Sequence, residues 1–360
     1  MHALRVLLLS LLVLPLASCT TVAYYGQAVH GHLAMVAATR PVGDVIDDPA
    51  TASAVKVRLR QTQALLAFAA DELGLPANGS YAGYADLQRE AAVWSLVATP
   101  ADSLQPHEWC YPVIGCASYR GYFDEHAAER HAAQLAAQGL DVVVEPVPAY
   151  STLGWFDDPL PSTVIDWPLD AFAGLLFHEL SHQRVYAVDD SAFNEAYATV
   201  VEREGVRRWL ARVGTPSLRA AHALRMHRQQ QFLDLLGAAR TRLQALYAQP
   251  RRDDLLASGK AAVFTALRDD YEALRAAWGG YAGFDRWFDR PLNNAHLASV
   301  ATYNELTPAL RALLDREAGD MRRFHERCAE LAGLPQAERD LRLRGLSAVA
   351  SSVGASASRE

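Results

Sequence analysis

The sequence predicts an α+β protein that is mostly helical, with a small β-sheet in its N-terminal half. Segments 91–98 and 141–145 are short, apolar and strand-like, and the Ala-rich segment 124–138 between them is helical. From Pro168 onward apolar residues recur at helical spacing. With 360 residues, 51% of them hydrophobic, the chain can form one large domain or two packed subdomains.

The first 18 residues predict a signal peptide. Arg5 precedes an apolar run from Val6 to Leu16, which is shorter than the roughly 20 residues of a bilayer span. The run ends in Leu16-Ala17-Ser18-Cys19, which resembles a bacterial lipobox. That resemblance implies cleavage before Cys19 and lipid attachment to it. The alternative is an ordinary signal peptide followed by an incidental cysteine.

The predicted compartment is the cell envelope, with the chain lipid-anchored and facing the periplasm. Thr20 stands where an Asp would favour the inner membrane, so the outer membrane of a Gram-negative bacterium is favoured. An oxidising compartment allows disulfides, and Cys110 and Cys116 are the candidate pair. Cys328 would then stay free or pair between molecules. A net charge of −7 argues against a nucleic-acid partner.

Residues 19–160 are predicted to form a mixed α/β subdomain that carries the lipid. A small-residue helix over 20–40 precedes an amphipathic helix from Thr51 to Leu73, which Gly74-Leu75-Pro76 ends. Residues 110–123 are strand-like and could pair with an extended peptide or lie buried in the core. The aromatic loop Tyr150–Phe156 could line a substrate cleft or cap the core.

Residues 161–345 are predicted to form a helical subdomain, and the Ala/Ser/Gly-rich residues 346–360 a disordered tail. Pro168 fits the first turn of a helix over 169–185, with Asp166 as a possible cap. Further helices follow from Ser191, across 232–246, over 261–278 and over 308–331. The junction of the two subdomains is where a cleft is expected.

The helix over 169–185 carries His178-Glu179-Leu180-Ser181-His182. Two histidines four residues apart lie on one helix face, where both imidazoles can reach one cation. A glutamate after the first histidine is placed to take a proton from an attacking water, as in HExxH metallohydrolases. The pattern therefore predicts a zinc site with His178 and His182 as ligands and Glu179 as general base. The alternative is a surface helix with two solvated histidines and no metal site.

A catalytic zinc site usually takes a third protein ligand and keeps one position open. Glu195, on the next helix, is the first candidate. Asp189 or Asp190 in the intervening turn is the alternative. Glu202, two helical turns after Glu195, and Asn194 are predicted to support the ligands by hydrogen bonds.

HELSH followed by NEAYATVVEREG resembles the gluzincin metallopeptidases, and most of the chain resembles a family of predicted bacterial aminopeptidase lipoproteins. The resemblance implies a zincin-like fold, one Zn²⁺ held by His178, His182 and Glu195, and a peptide substrate. Two features depart from well-known aminopeptidases: the short spacing between His182 and Glu195, and the absence of a Gly-x-Met-x-Asn segment.

A donor for the developing oxyanion is also needed. Tyr303 is the predicted catalytic donor, with His296 and Tyr197 as alternatives. The favoured function is zinc-dependent hydrolysis of peptide bonds by a membrane-anchored periplasmic lipoprotein. The rival is a non-catalytic envelope lipoprotein whose metal site is structural or vestigial.

Overall fold

The protein is mostly helical with small sheets in its N-terminal half, which confirms the predicted α+β class. The computed structural model describes residues 22–111, 115–149, 151–249, 253–302 and 306–357. Its helices are α1 (22–37), α2 (Val42–Asp47), α3 (Ser53–Leu73), α4 (Glu125–Ala136), α5 (Leu169–His182), α6 (Ser191–Val213), α7 (Pro216–Tyr247), α8 (Asp253–Ala277), α9 (Asp285–Phe288), α10 (Asn294–Thr302), α11 (Thr307–Arg316), α12 (Met321–Ala332) and α13 (Gln336–Ala357). No helix among these residues is long and apolar enough to cross a bilayer.

The described strands form three small sheets rather than the single sheet predicted. They are β1 (Thr39–Pro41), β2 (Gly83–Ala85), β3 (Val93–Pro100), β4 (Trp109–Tyr111), β5 (Gly115–Ala117), β6 (Arg120–Tyr122), β7 (Leu140–Val147) and β8 (Leu160–Pro161). The sheets have the orders β1-β2-β8, β6-β3-β7 and β4-β5. The strand-like residues 110–123 divide into parts of β4, β5 and β6, and Gly115 begins β5 with a φ of +78°, which glycine adopts readily.

The central sheet is built on a long antiparallel pair. β3 and β7 run in register from Val93↔Val147 to Pro100↔Leu140. α4 covers this sheet with Ala128, Ala132 and Leu135, whose helical spacing places them on one buried face. β6, α4 and β7 follow one another along the chain, which is the strand–helix–strand order that the sequence predicted.

The main core lies around α5 and contains residues from both sides of the predicted boundary at residue 160. α5 buries Phe172, Leu176, Phe177 and Leu180 against α3 and α6. Gly205 of α6 permits this packing, because a Cβ there would lie 2.6 Å from the Phe177 ring. A second cluster joins α7, α8 and α9.

The C-terminal segment differs from its prediction. α13 continues to Ala357, whereas residues 346–360 were predicted to be disordered. Leu343 is buried in the main core and Leu346 packs against it, which anchors the helix.

Candidate metal centre

α5 brings both predicted histidines into the protein interior. The helix begins after Pro168, which is itself the N-cap, and no side chain caps it, so the predicted cap by Asp166 is wrong. The side chains of His178 and His182 are 13% and 10% exposed, and their ring centroids are 4.9 Å apart. A surface helix with two solvated histidines is therefore not what the chain forms.

The turn after α5 is fixed by side chains that return α6 alongside it. Asp190 caps α6 by accepting a hydrogen bond from the backbone N–H of Phe193. Asn194 bonds both the N–H and the carbonyl of Ala187, at 2.7 and 2.8 Å. Asn194 was predicted to support a ligand directly; its amide is instead occupied by the turn that positions the next residue, Glu195.

The Glu195 carboxylate meets both imidazoles. Its Oε2 lies 3.2 Å from His178 Nε2 and 3.8 Å from His182 Nε2, and the three candidate ligand atoms are all within 4.8 Å of one another. Two ligands at 2.0–2.1 Å from a tetrahedral zinc ion are about 3.3 Å apart. The side chains therefore converge closely enough to surround one ion, and two imidazoles with one carboxylate match the donor set of catalytic zinc sites.

Glu202 lies where the sequence predicted. Its Oε2 is 3.2 Å from His178 Nδ1, on the opposite side of the ring from Glu195. A carboxylate in this position fixes the tautomer and the orientation of a ligating histidine. The Nδ1 of His182 is buried and has no hydrogen-bond partner within the described part of the chain.

The charges in the cluster favour a cation between the ligands. Burial lowers the pKa of His182 to about 4, so this imidazole is neutral and has a lone pair to offer at neutral pH. For His178, burial also lowers the pKa, but hydrogen bonds to Glu195 and Glu202 outweigh it and raise the pKa well above its usual value. The carboxylates of Glu195 and Glu202 therefore favour a positive charge next to them.

Glu179 has the properties of a general base. Its pKa is raised to about 7: burial raises it most, the charge of His178 lowers it, and the charges of Glu195, Asp158 and Glu202 raise it. A carboxyl group poised near neutral pH can both take and return a proton. It is not among the three side chains whose atoms converge.

The alternative third ligands lie elsewhere. Asp190 forms an ion pair of 2.7 Å with Arg339, and both side chains are 2% exposed. Asp189 Oδ1 accepts a 2.5 Å hydrogen bond from the backbone N–H of Cys116. Neither belongs to the one group of potential metal ligands that the described residues contain.

The structure does not single out one of the three predicted oxyanion donors. Tyr303 lies outside the described residues. Tyr197 is fully buried and its hydroxyl is 2.7 Å from His325 Nδ1, so it belongs to the core. His296 is buried on α10, where its Nδ1 contacts Asn293 and its ring packs on Trp287.

Tyr119 lies close enough to the candidate centre to feel its charges, which the sequence did not reveal. It lies in the turn between β5 and β6, and the Cys116–Asp189 hydrogen bond holds this turn against the segment that joins α5 to α6. Burial around its hydroxyl, followed by the charges of Glu195 and Glu179, raises the pKa of Tyr119, although the residue as a whole is 38% exposed. The phenol therefore lies within electrostatic range of both carboxylates, with part of its ring open to solvent.

Two further predictions concern the segments around this turn. Cys110 and Cys116 form a disulfide across β4 and β5, as predicted, and Cys328 is free and buried. In the aromatic loop, Trp155 and Phe156 are 71% and 58% exposed, so these rings do not cap the core. Gly154 places the loop beside the side chain of Gln183, the residue after His182.

Comparison with known proteins identifies the family. The model of a family described as putative aminopeptidase matches residues 23–343. No curated protein and no solved structure matches the chain. The match extends from the start of α1 into α13 and includes every residue of the candidate metal centre. The chain therefore belongs to the putative aminopeptidase family.

Proposed function

We propose that this protein is a zinc-dependent peptidase with a zincin-like active site, anchored by lipid on Cys19 and facing the periplasm. One observation carries the proposal: atoms of His178, His182 and Glu195 converge within 4.8 Å, and Glu179, which follows His178 in the sequence, is not one of the three. A purely structural metal site would have no need of the Glu179 carboxylate. Membership of an aminopeptidase family supports the reaction class.

His178, His182 and Glu195 would hold one Zn²⁺ ion. When bound, such an ion supplies Lewis acidity that polarises a carbonyl and lowers the pKa of water. The imidazole of His182 is neutral, which is the form that binds a metal, and Glu202 orients the imidazole of His178. Because Glu195 and Glu202 raise the pKa of His178, this imidazole would release a proton when the ion binds.

Glu179 would act as general base and then as general acid. Its carboxylate accepts a proton from the attacking water and returns that proton to the amine that leaves. A pKa near 7 suits both transfers, because the group is neither too weak a base nor too weak an acid.

Tyr119 is our candidate for the group that donates a hydrogen bond to the developing oxyanion. A phenol whose pKa is raised stays protonated and can donate at neutral pH. Tyr303 remains the candidate from the helical half. Comparing the two Tyr→Phe variants decides between them.

Aminopeptidase specificity would add a requirement for a free N-terminus. The family name favours this specificity. The chain, however, lacks the Gly-x-Met-x-Asn segment, whose glutamate holds the free amino group of the substrate in well-known aminopeptidases. Peptides with free and acetylated N-termini distinguish the two cases. An aminopeptidase would cleave only the free series.

The test of the whole proposal is metal analysis combined with digestion of a mixed peptide library, with and without a chelator. We expect about one zinc per chain and cleavage that the chelator abolishes. Glu179→Gln should keep zinc and lose hydrolysis. Glu90→Gln, at an exposed surface ion pair with Arg286, is the matched control and should change neither. Full activity in Glu179→Gln would overturn the mechanism.

A further inference from the structure

Helix α1 has two different faces, although both are uncharged. Residues 22–37 contain no Asp, Glu, Lys or Arg. The inner face packs on the N-terminal sheets: Gln27 accepts a hydrogen bond from the backbone N–H of Phe123, Tyr24 lies under the guanidinium of Arg120, and Met35 is buried. These contacts fix the orientation of α1 on the protein.

The outer face of α1 is apolar and exposed. Val22, Tyr25, Val29, Leu33 and Val36 are 66%, 41%, 58%, 58% and 45% exposed. Their spacing of three and four residues places them in one stripe. A surface helix of a globular protein normally presents polar residues on this side, so a continuous apolar stripe marks an interaction surface.

The stripe continues into the aromatic loop. The His32 ring lies 4.7 Å from the Phe156 ring, and Phe156 and Trp155 are the exposed residues of that loop. The same loop touches Gln183, directly after the candidate ligand His182. The exposed apolar surface therefore runs from the start of α1 toward the candidate metal centre.

We propose that this surface, defined by the α1 stripe and the Trp155–Phe156 tip, lies on the lipid bilayer. The proposal rests on the proposed lipidation of Cys19, which is three residues before Val22. At no more than about 3.6 Å per residue, acyl chains on Cys19 enter the bilayer within about 11 Å of the stripe. α1 is about 24 Å long, which suits a helix lying in the plane of the interface.

The chemistry of the surface specifies the kind of lipid contact. α1 has no Lys or Arg, so it has no means of selecting anionic headgroups, and the contact is apolar insertion into any phospholipid interface. An exposed Trp such as Trp155 is typical of the headgroup region. A bilayer in this position would place the mouth of the candidate active site close to the membrane surface.

The test uses the full-length lipoprotein reconstituted into phosphatidylcholine vesicles that carry a spin-labelled or brominated quencher lipid. A small fluorophore is placed on Leu33→Cys and, as a control, on Val213→Cys. Val213 is 55% exposed and is the last residue of α6, about 30 Å along the helix from its first residue. The native cysteines do not interfere, because Cys110 and Cys116 are bonded and Cys328 is buried. Lipid blocks the Cys19 thiol, and Cys19→Ser removes it when the unlipidated chain is tested.

We expect lipid quencher to remove at least half of the fluorescence at position 33 and little at position 213. Adding anionic lipid should leave this pattern unchanged. Equal quenching at the two positions would overturn the proposal. So would cross-linking of Leu33→Cys between two chains without lipid quenching, because a second copy would then cover the stripe.

Failure of the proposed function can be recognised separately. The mass of the mature N-terminus reports whether Cys19 carries lipid, and zinc content and peptide hydrolysis are measured on the same samples. If Cys19 carries no lipid, the unlipidated chain is mixed with the vesicles. Quenching at position 33 then still supports the α1 contact, and its absence rejects it.

Discussion

α5 carries two clusters in which a buried carboxylate meets a histidine, and they differ in what neutralises the charge. In the first turn, Asp170 is held by His222 at 2.8 Å and by Arg225 through two hydrogen bonds of 2.6 and 3.1 Å. Near the end of the helix, the ion-pair partners of Glu195 are the two histidines of the HELSH segment. Burial and a carboxylate–histidine contact are common to both clusters.

The difference teaches how a structural cluster can be told from a candidate metal centre. At Asp170 a permanently charged guanidinium balances the carboxylate, and no further cation is required. At Glu195 the balancing groups are imidazoles, which are neutral when they act as ligands. The carboxylates of Glu195 and Glu202 then leave a negative site that a divalent cation would neutralise.

The largest effect should come from removing the ligand that completes the metal site. In Glu195→Ala we expect activity to fall to background and zinc affinity to fall by more than about 100-fold, because even supporting residues are worth 10–100-fold. Asp189→Ala is the matched control, since Asp189 bonds the Cys116 backbone rather than the histidines. Zinc content after dialysis against a weak chelator is measured for both variants. If Asp189→Ala lost zinc and Glu195→Ala kept it, the comparison between the two clusters would be wrong.

The next effect is on turnover alone. Tyr119→Phe should lower kcat by about 10²–10³-fold, the usual loss when one oxyanion donor is removed, and leave zinc content unchanged. Tyr25→Phe, on the exposed face of α1, is a control of the same chemistry. Normal turnover in Tyr119→Phe, together with a loss in Tyr303→Phe, would assign the donor to the helical half instead.

Local spacing was enough to predict which side chains converge, because their geometry is set within helices. His178 and His182 are one turn apart on α5, and Glu195 and Glu202 are two turns apart on α6. The same holds for the strand–helix–strand unit around α4. A short turn between two helices leaves few ways to pack them, so Glu195 was also predictable.

Contacts between distant segments were not predictable. The segment that carries Tyr119 is held to the turn between α5 and α6 by a hydrogen bond from the Cys116 backbone to Asp189, which is 73 residues away. The sequence leaves Asp190 as a possible ligand, but its carboxylate accepts a hydrogen bond from Arg339, which is 149 residues away. The division of the strands among three small sheets also depends on pairings between distant segments, such as β2 with β8, which the strand pattern alone does not reveal.

A smaller effect is expected from the support of the metal centre. Glu202→Gln keeps the shape of the side chain but removes the charge that orients His178, so zinc affinity should fall by about 10–100-fold. Competition with a chromogenic chelator gives the affinity. Unfolding by denaturant of the metal-free chain is the control and should change little, because the Glu202 side chain is 36% exposed. An unchanged zinc affinity would remove Glu202 from the site.

The smallest effect concerns stability at the Asp170 cluster and its dependence on pH. Burial raises the pKa of Asp170, but hydrogen bonds from His222 and Arg225 outweigh it and lower the pKa from 3.8 to about 2. Because the folded-state pKa is depressed, the stabilisation is complete above about pH 4 and is lost as the pH falls through 2. Its size is about 2 kcal/mol.

Asp170→Asn isolates this contribution, since other carboxylates with depressed pKa values, such as Glu204 at about 2, titrate alike in both proteins. The difference in unfolding free energy between wild type and Asp170→Asn, from denaturant titrations with chelator present, should be largest near pH 6. It should shrink by about 2 kcal/mol toward pH 2. A difference that stays constant would mean that Arg225 stabilises α5 without holding the charge of Asp170. The Asp170 cluster could then no longer serve as the example of a charge-balanced cluster with which the Glu195 cluster is compared.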